Sequence, residues 1–367
     1  RVDNAAAAEW SASAYTQLTR TSPIVNRKFS FTNPEQYSFV GAAWYSPEEK
    51  FEKLAFEDFV EEPLTRTITG GWAAQQQHYF FAAWIPEASE PQAYSTAVIT
   101  DQGAPRYLIR QMGPSFKVAP GASATRSTRL YVGPKQQEKL DSIAPGLGLT
   151  IDYGMVTIFA KPVFWLLNQL HKLVGNWGFA IILTTLLVKL LLYPLSEAQY
   201  RSMAKMRKVQ PRIEALKQRY GEDRQKFNQA MMELYSKEKI NPVGGCLPLL
   251  LQFPIFIALY WVLLESVELR HAPFIGWLTN LSARDPYFVL PVANAAIMWI
   301  TQKMSPSPAG MDPIQQKVLQ YMPIVFSITM AFFPAGLVLY WTVNGALGLL
   351  QQWIITRRIE AGEKKAA

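Results

Sequence analysis

One lysine stands inside an apolar run of the sequence, and its charge is the first feature that could do chemistry. Lys189 lies in residues 177–195 (WGFAIILTTLLVKLLLYPL), a run of about the length that crosses a bilayer as a helix. A lysine in such a segment costs roughly 2.5–3.5 kcal/mol on insertion scales. By helical rise it lies about 9 Å from Leu195, so its amine could snorkel to an interface. The alternative is that the chain uses the charge.

Polar side chains near Lys189 and in later apolar runs favour the second interpretation. Thr185 lies one helical turn before Lys189 on the same face, and Thr184 is beside it. Polar side chains in the later apolar runs are Gln252, Asn294, Thr329 and Asn344. Several polar groups in separate runs indicate one shared hydrated cavity, with Lys189 as its charge and Thr184, Thr185, Gln252, Asn294 and Asn344 as its polar groups.

Motifs of enzymes are missing from the sequence. It contains no Walker A, HExxH or GxSxG motif and no cluster of histidines and cysteines. Ser327 and His271 are the residues left open for an intramembrane protease. We therefore predict a protein that is not an enzyme and that holds no cofactor and no metal.

Charge is distributed unevenly along the 367 residues, whose formal net charge is +8. Residues 1–150 contain 14 Lys/Arg and 15 Asp/Glu, whereas the remainder contains 22 and 13. This contrast predicts a near-neutral soluble domain followed by a basic, apolar one. Cys246 is the only cysteine, so no internal disulfide is possible. We expect a signal or anchor helix upstream of residue 1, because nothing at the start of the sequence would export residues 1–150.

Residues 1–150 have the pattern of antiparallel β-structure. Aromatic and β-branched residues are concentrated in segments 37–45, 79–85, 94–100 and 127–132, which are separated by clusters of Pro, Gly, Asn and Glu. Short strands at this spacing predict a β-sandwich. His78 is isolated and is interpreted as structural. The domain could bind a sugar or a partner protein, but a scaffold is the simpler interpretation.

Two helical regions outside the bilayer are predicted around the Lys189 run. Residues 151–175 have apolar residues at helical spacing interrupted by charges, which is typical of a helix at the membrane surface; an ordinary linker helix is the alternative. Residues 197–241 form a basic helical hairpin divided at Gly221. Its first helix contains the basic residues Arg201, Lys205, Arg207, Lys208, Arg212, Lys217 and Arg219. Nucleic-acid binding is the alternative, but the positive-inside rule already accounts for this charge, so no DNA partner is predicted.

Five membrane spans are predicted within residues 176–357. They are residues 177–195, 247–264, 287–300, 314–333 and 336–355. Loop 303–317 and tail 358–367 are basic, whereas loop 265–286 carries a net charge of −1. With the basic segments in the cytoplasm, the spans alternate consistently, and residues 1–150 lie on the opposite side of the membrane from the C-terminus.

Four motifs resemble those of the YidC membrane-protein insertases of Gram-negative bacteria. They are GNWGF at 175–179, YPL at 193–195, NPVGGC at 241–246 and FPAGLVLYW at 333–341. The resemblance implies an α+β membrane protein of the bacterial inner membrane. It consists of a periplasmic antiparallel β-supersandwich followed by a five-helix transmembrane insertase core with a cytoplasmic helical hairpin. It also implies that a first transmembrane helix and the start of the periplasmic domain are absent from this sequence.

The same resemblance implies roles for particular residues. The family's groove has a central basic residue that maps onto Lys189; well-known members have arginine there, and lysine lacks its bidentate fork. A sliding path for the substrate helix is implied at Phe253, Phe256, Thr329, Met330, Phe332, Tyr340 and Trp341. The implied partners are nascent membrane proteins, the Sec translocon, membrane lipids and, through the hairpin and tail, the ribosome.

The sequence therefore predicts an insertase and chaperone that places inner-membrane proteins in the bilayer, alone or with the Sec translocon. The groove charge would receive the substrate's hydrophilic segment, because a cation in a hydrated cavity lowers the cost of bringing polar groups into the membrane. A transporter of small solutes or ions that uses Lys189 as a counter-ion is the alternative. A purely structural assembly factor, for which Lys189 is dispensable, is a third possibility.

Overall fold

The computed structural model describes residues 1–21, 38–100, 103–220, 223–238, 247–304 and 313–366, leaving out the side chains at 224, 247–252, 313–316, 319–320, 360 and 362–366. The chain divides into two compact units. The first, here the β unit, comprises Arg1–Asp152 with Glu265–Glu268. The second, the helical unit, comprises Tyr153–Leu264 with Leu269–Ala367. The predicted motif at 241–246 lies outside the described residues.

Two antiparallel sheets make up the β unit, which confirms the predicted sandwich. The five-stranded sheet has the order β11-β7-β6-β3-β4 and the four-stranded sheet the order β2-β9-β8-β5. The strands of the first are β3 (Gly41–Ser46), β4 (Lys50–Ala55), β6 (Trp72–Gln76), β7 (Phe80–Ile85) and β11 (Arg129–Pro134). Those of the second are β2 (Trp10–Thr21), β5 (Thr65–Thr69), β8 (Pro91–Ile99) and β9 (Arg106–Val118). A short pair, β1 (Val2–Asp3) and β10 (Ser123–Ala124), lies beside them.

Apolar side chains of both sheets meet in one core. Trp44 and Ala73 of the five-stranded sheet pack in the same cluster as Tyr94 and Ile109 of the four-stranded sheet. Alternation of buried and half-buried residues along β7 follows from the two-residue period of a strand. Burial of these side chains removes apolar surface from water, which is the main driving force for the sandwich.

Buried glutamines join the two sheets by hydrogen bonds. Gln75 Nε2 donates to the carbonyl oxygens of Leu18 and Tyr107, at 3.2 and 2.8 Å. Gln111 Nε2 donates to Trp84 O at 3.1 Å. Because a buried amide without a partner destabilises the folded state, these bonds help select the pairing of the sheets.

Helices make up most of the described residues of the helical unit. After the short helix α1 (Gln137–Ile143), the helices are α2 (Thr157–Val174), α3 (Trp177–Leu191), α4 (Tyr193–Tyr220), α5 (Arg224–Lys237), α6 (Leu247–Glu265), α7 (Val289–Met304), α8 (Pro313–Met330) and α9 (Ala335–Ala366). A helix is thus observed in the region of each predicted span. The mixed α+β class is confirmed.

The junction of α2 and α3 follows directly from two residues. Gly175 has φ +68°, and its N–H donates to His171 O at 2.7 Å, which closes α2 with a left-handed cap. Asn176 then caps α3, because its Oδ1 accepts hydrogen bonds from Gly178 N at 2.9 Å and Phe179 N at 3.2 Å. The chain can therefore start a new helix after a single turn, at a fixed position.

Helices α4 and α5 form the hairpin that the sequence predicts. Their contact is an apolar core of Val209, Ile213, Phe227 and Tyr235. Asp223 caps α5 by accepting hydrogen bonds from Gln225 N and Lys226 N, at 3.2 and 3.1 Å. The basic residues predicted on α4 are left on the exposed faces of the hairpin.

No described helix has, on its own, both the length and the mean hydropathy of a membrane span, but α3 and α4 taken together have both, across a bend of 66°.

Candidate functional site

A cavity of about 300 Å³ lies within the helical unit between α3, α4, α7 and α9. Lys189 lines it, and we call it the Lys189 cavity. Its other polar lining includes Ser196, Gln199, Tyr200, Asn294, Thr301 and Asn344. Its apolar lining includes Val188, Ile297, Trp341, Gly345, Gly348 and Leu349. The structure thus brings together three of the predicted groove residues, Lys189, Asn294 and Asn344.

Helix α3 positions the lysine near its last turn. The face of α3 that includes Ala180, Ile181, Thr184 and Thr185 is buried, and Lys189 follows on that face one turn after Thr185. Helix α3 ends at Leu191, and the chain bends by 66° into α4. This bend places the first two turns of α4 beside the cavity.

Among the described residues that line the cavity, Lys189 is the single charged one. The described residues that line the cavity include no aspartate or glutamate, and in the described part of the chain Nζ has no hydrogen-bond or ion-pair partner. At an effective dielectric constant of about 20, two opposite unit charges 4 Å apart attract each other by about 4 kcal/mol. The cavity can therefore accept a carboxylate or a hydrated acidic segment.

The sequence interpretation missed two residues that line the cavity next to Lys189, Tyr200 and Gly348. Tyr200 Oη donates to the carbonyl oxygen of Gly348 at 3.1 Å, which joins α4 to α9. A Cβ atom at position 348 would lie 3.6 Å from both Lys189 Nζ and Tyr200 Oη. Gln351 Nε2 also donates to Lys189 O at 3.4 Å. The available signal was the pair of glycines, Gly345 and Gly348, in the mostly apolar stretch 336–350 of α9.

Of the predicted polar groups, Asn294 is buried at the cavity wall, whereas the two threonines lie away from the cavity. Asn294 is 1% exposed, and its Nδ2 donates to Ser327 Oγ at 3.3 Å. Thr184 and Thr185 are buried and do not line the cavity; Thr185 Oγ1 donates to Ile181 O of its own helix at 2.7 Å. The side chain of Gln252 lies outside the described residues.

The residues predicted for the sliding path fall into two groups. In the first group, Phe256 packs edge-on against Trp341 at 4.5 Å between ring centroids and stacks with Tyr340 at 6.2 Å. Tyr340 is buried, and Trp341 reaches the Lys189 cavity. This group joins α6 to α9.

The second group presents surface to the surroundings. Phe253 and Phe332 are 56% and 46% exposed, and Thr329 is exposed, with its hydroxyl bonded to Val325 O. Met330, next to Thr329, is buried. The predicted path is therefore divided between helix contacts and an exposed apolar surface.

All seven predicted basic residues of α4 are exposed. Arg201 forms an ion pair with Glu197 at 2.6 Å, one turn earlier on the helix. Arg212 pairs with Glu238, at the end of α5. Exposed pairs of this kind contribute little stability.

Two models of known protein families match the chain and show the family to which it belongs. The family model described as "60Kd inner membrane protein" matches residues 169–364, and the one described as "YidC periplasmic domain" matches residues 1–166. The chain belongs to the YidC family. The resemblance seen in the sequence motifs is thereby confirmed, along with a periplasmic domain and an inner-membrane domain at the level of the family descriptions.

Two relatives of this YidC-family chain share one name with each other, and both are longer than this chain. "Membrane protein insertase YidC" of Stenotrophomonas maltophilia (strain K279a) is 56% identical over 362 residues, which are 97% of this chain and 62% of the relative. The protein of that name from Xanthomonas campestris pv. campestris (strain B100) is 54% identical over 368 residues, 99% of this chain and 62% of the relative. The chain thus spans about 62% of the length of these curated relatives.

A solved structure is also similar to the chain. It is titled "Active YidC insertase crystal structure with the first transmembrane domain resolved", and it is 21% identical with a TM-score of 0.46. The match covers 85% of this chain and 82% of that one.

Proposed function

We propose that the chain acts as a membrane protein insertase that receives the hydrophilic segment of a nascent membrane protein in the Lys189 cavity. The observation that carries this proposal is a lysine ammonium group that is the single charge among the described residues lining a cavity of about 300 Å³. Two of its relatives are named membrane protein insertases.

Electrostatics and hydration explain how such a cavity lowers the barrier to insertion. A polar segment that enters the bilayer alone loses its hydrogen bonds to water, at a cost of several kcal/mol for each unsatisfied group. In the Lys189 cavity it meets hydroxyl and amide groups and one cation. The step needs no covalent chemistry, and the hydrophobic helix of the substrate then moves into lipid.

The proposed placement in the membrane follows the predicted spans. Helices α3, α6, α7, α8 and α9 would cross the inner membrane, with residues 1–150 in the periplasm and the hairpin and tail in the cytoplasm. Exposed apolar side chains support contact with lipid, including Val325 and Ile328 on α8. Helix α2 exposes Ile158, Trp165 and Leu173, which suits a helix lying at the membrane surface.

The substrate's hydrophobic helix is proposed to lie along the exposed surface at Phe253, Thr329 and Phe332. The basic hairpin and the tail would contact the nascent chain and the ribosome. For larger substrates, we propose that the chain works with the Sec translocon. These partners fit exposed basic residues and exposed apolar helix surfaces, which attract acidic and hydrophobic partners, respectively.

A transporter of small solutes is the second candidate, because a cavity of about 300 Å³ lies within the size range of small-ligand pockets. In that case Lys189 would be the counter-ion of an anionic solute. Uptake of labelled organic anions by proteoliposomes, in the absence of any protein substrate, separates the two functions.

The test is the insertion of a short single-span protein, with an acidic translocated segment, into proteoliposomes that contain the purified chain. We expect Lys189→Ala and Lys189→Glu to lower the initial rate at least tenfold, which corresponds to about 1.4 kcal/mol. Lys189→Arg should retain insertion because the charge is kept. Lys161→Ala, which removes an exposed lysine from α2, is the matched control.

Two results would overturn the proposal. Wild-type rates in Lys189→Ala, with an unchanged circular dichroism spectrum, would show that the charge is dispensable. Anion uptake that depends on Lys189, together with no insertion by the wild type, would establish the transporter instead.

A further inference from the structure

A second cavity, of about 150 Å³, lies in the β unit, at one end of the sandwich. We call it the sandwich-end cavity, and it is lined by Tyr15, Glu87, Glu90, Gln92, Gly113 and Arg126 together with neighbouring residues of the same strands and loops. Its volume is several times the roughly 30 Å³ that a water molecule occupies in the liquid. It is therefore large enough for part of a small organic molecule.

Gln92 is the residue that points to a ligand. The residue is 8% exposed, and in the described part of the chain its side-chain amide makes no hydrogen bond. Buried side-chain amides in folded proteins nearly always have partners. Gln111, the other buried glutamine of this cavity, follows that rule, since it accepts from Thr16 Oγ1 at 3.3 Å and donates to Trp84 O. The unused donor and acceptor of Gln92 are thus available at the cavity wall.

The backbone around Gln92 leaves room for a ligand. A Cβ atom at Gly113 would lie 3.3 Å from Gln92 Nε2 and 3.4 Å from Gln92 Oε1. Glycine at this position therefore keeps the amide uncovered. On the neighbouring strand, the register of β2 with β9 shifts between Ser13 and Tyr15. A bulge of this kind redirects side chains, and Tyr15 is 66% exposed at the cavity.

Charges at the cavity restrict the class of ligand. Glu90 pairs with Arg126 at 3.1 Å, and Glu87 adds a second carboxylate, so the lining has a net charge of −1. This charge disfavours anionic ligands. Carboxylates accept hydrogen bonds from hydroxyl groups, whereas a glutamine amide donates and accepts through adjacent atoms. Two adjacent hydroxyl groups match that pattern, and the face of Tyr15 and the rings of Pro86 and Pro114 offer apolar surface.

We propose that the sandwich-end cavity binds the ring of a neutral sugar, with Gln92 bonded to two adjacent hydroxyl groups and Tyr15 against an apolar face of the ring. A sugar combines neighbouring hydroxyl groups with a C–H surface, so it uses both kinds of lining. This binding site is independent of the insertion step, because every residue that lines the cavity lies in the β unit.

The experiment is saturation-transfer NMR with the full chain in nanodiscs, since detergents with sugar head groups would compete. The probes are D-glucose and N-acetyl-D-glucosamine, and the anion D-gluconate tests the charge argument. We expect saturable millimolar binding of at least one neutral sugar and much weaker binding of gluconate. Gly113→Ala should weaken sugar binding at least tenfold, because the added methyl group covers the Gln92 amide.

Gln92→Leu should have the same effect by removing the donor and acceptor, and Gln17→Leu, which changes a glutamine whose Nε2 bonds to Thr19 Oγ1, is the control. Gly113 does not have positive φ, so the backbone there can accommodate alanine. Gly113→Ala therefore tests the site even if Gln92→Leu fails to fold. The proposal is overturned if neither sugar binds, if gluconate binds as strongly, or if both variants bind like the wild type while their near-UV spectra are unchanged.

Discussion

Lys135 is a lysine inside the β unit, and its titration predicts how the stability of that unit changes with pH. The side chain is 4% exposed. Burial lowers the pKa of Lys135 to about 8, and the nearby carboxylates of Glu265 and Asp152 reverse only part of this shift. Glu265 itself lies 3.5 Å from His78 Nε2, and both of these side chains are buried.

The sign of the effect follows from proton binding. Below about pH 8, Lys135 is charged in the folded and the unfolded chain, and the full cost of burying the charge is present. Between about pH 8 and the ordinary pKa of 10.5, the folded chain has released the proton and the unfolded chain still binds it, so the free energy of unfolding rises with pH. At 1.36 kcal/mol per pH unit, the rise is on the order of 3 kcal/mol.

The assay compares Lys135→Met with the wild type in guanidinium unfolding of the full chain, from about pH 7.5 to about pH 10. We expect the variant to be more stable than the wild type at the lower pH, and the difference to shrink as pH rises. Lys139→Met is the matched control, because Lys139 follows four residues later in α1 and is exposed. Parallel pH profiles for Lys135→Met and the wild type would refute the reasoning, since no proton would then be linked to position 135.

Three further predictions concern single contacts. Asn294→Asp introduces a carboxylate of the same size into the Lys189 cavity, where it would neutralise the charge of Lys189. The insertion rate should therefore fall to the level predicted for Lys189→Ala, and an unchanged insertion rate would contradict the role of the charge. Tyr200→Phe removes the hydrogen bond to Gly348 O, so cross-links between α4 and α9 should form at more pairs of positions than in the wild type. Tyr200→Trp should not restore the wild-type pattern of cross-links. Identical cross-links in Tyr200→Phe and the wild type would argue against this contact. Gly146 has φ +71° and a Cβ there would lie 2.3 Å from the Tyr45 ring, so Gly146→Ala should destabilise the β unit by a few kcal/mol, with an unshifted thermal transition as the contrary result.

Local patterns in the sequence were sufficient for part of the fold, since the segments singled out as strands include β7 and β11 but not the long strands β2 and β9. Runs of aromatic and β-branched residues predict β7 and β11 because a strand side chain contacts its neighbours at a period of two. Apolar runs with polar boundaries predict the helices of the second unit. The cap at Asn176 follows a glycine and precedes an apolar run, which is a recognisable start of a helix.

Contacts between distant residues could not be predicted in the same way. Tyr200 and Gly348 are 148 positions apart, and nothing local in either segment indicates the other. Thr185 was predicted as a groove residue from its helical face, yet its hydroxyl bonds to its own backbone. A threonine has both options within a helix, and only the packing of α3 decides between them. Gln92 is similar, because the lack of a hydrogen bond from its side-chain amide to any described residue depends on β9 and the loop before β11.

Helix α9 extends unbroken from Ala335 to Ala366 over 32 residues, about 48 Å at 1.5 Å per residue. Gly348 borders the Lys189 cavity, and Arg357 lies over the ring of Trp353 at 4.1 Å in the same helix. A continuous helix fixes the direction of its residues around the helix axis as well as their distance along it. One residue inserted after Arg358 would turn the following segment by about 100°, whereas seven would return it to within about 20° of its original direction. A partner of the tail, as proposed above, would therefore be held at a particular angle around the helix axis relative to the cavity.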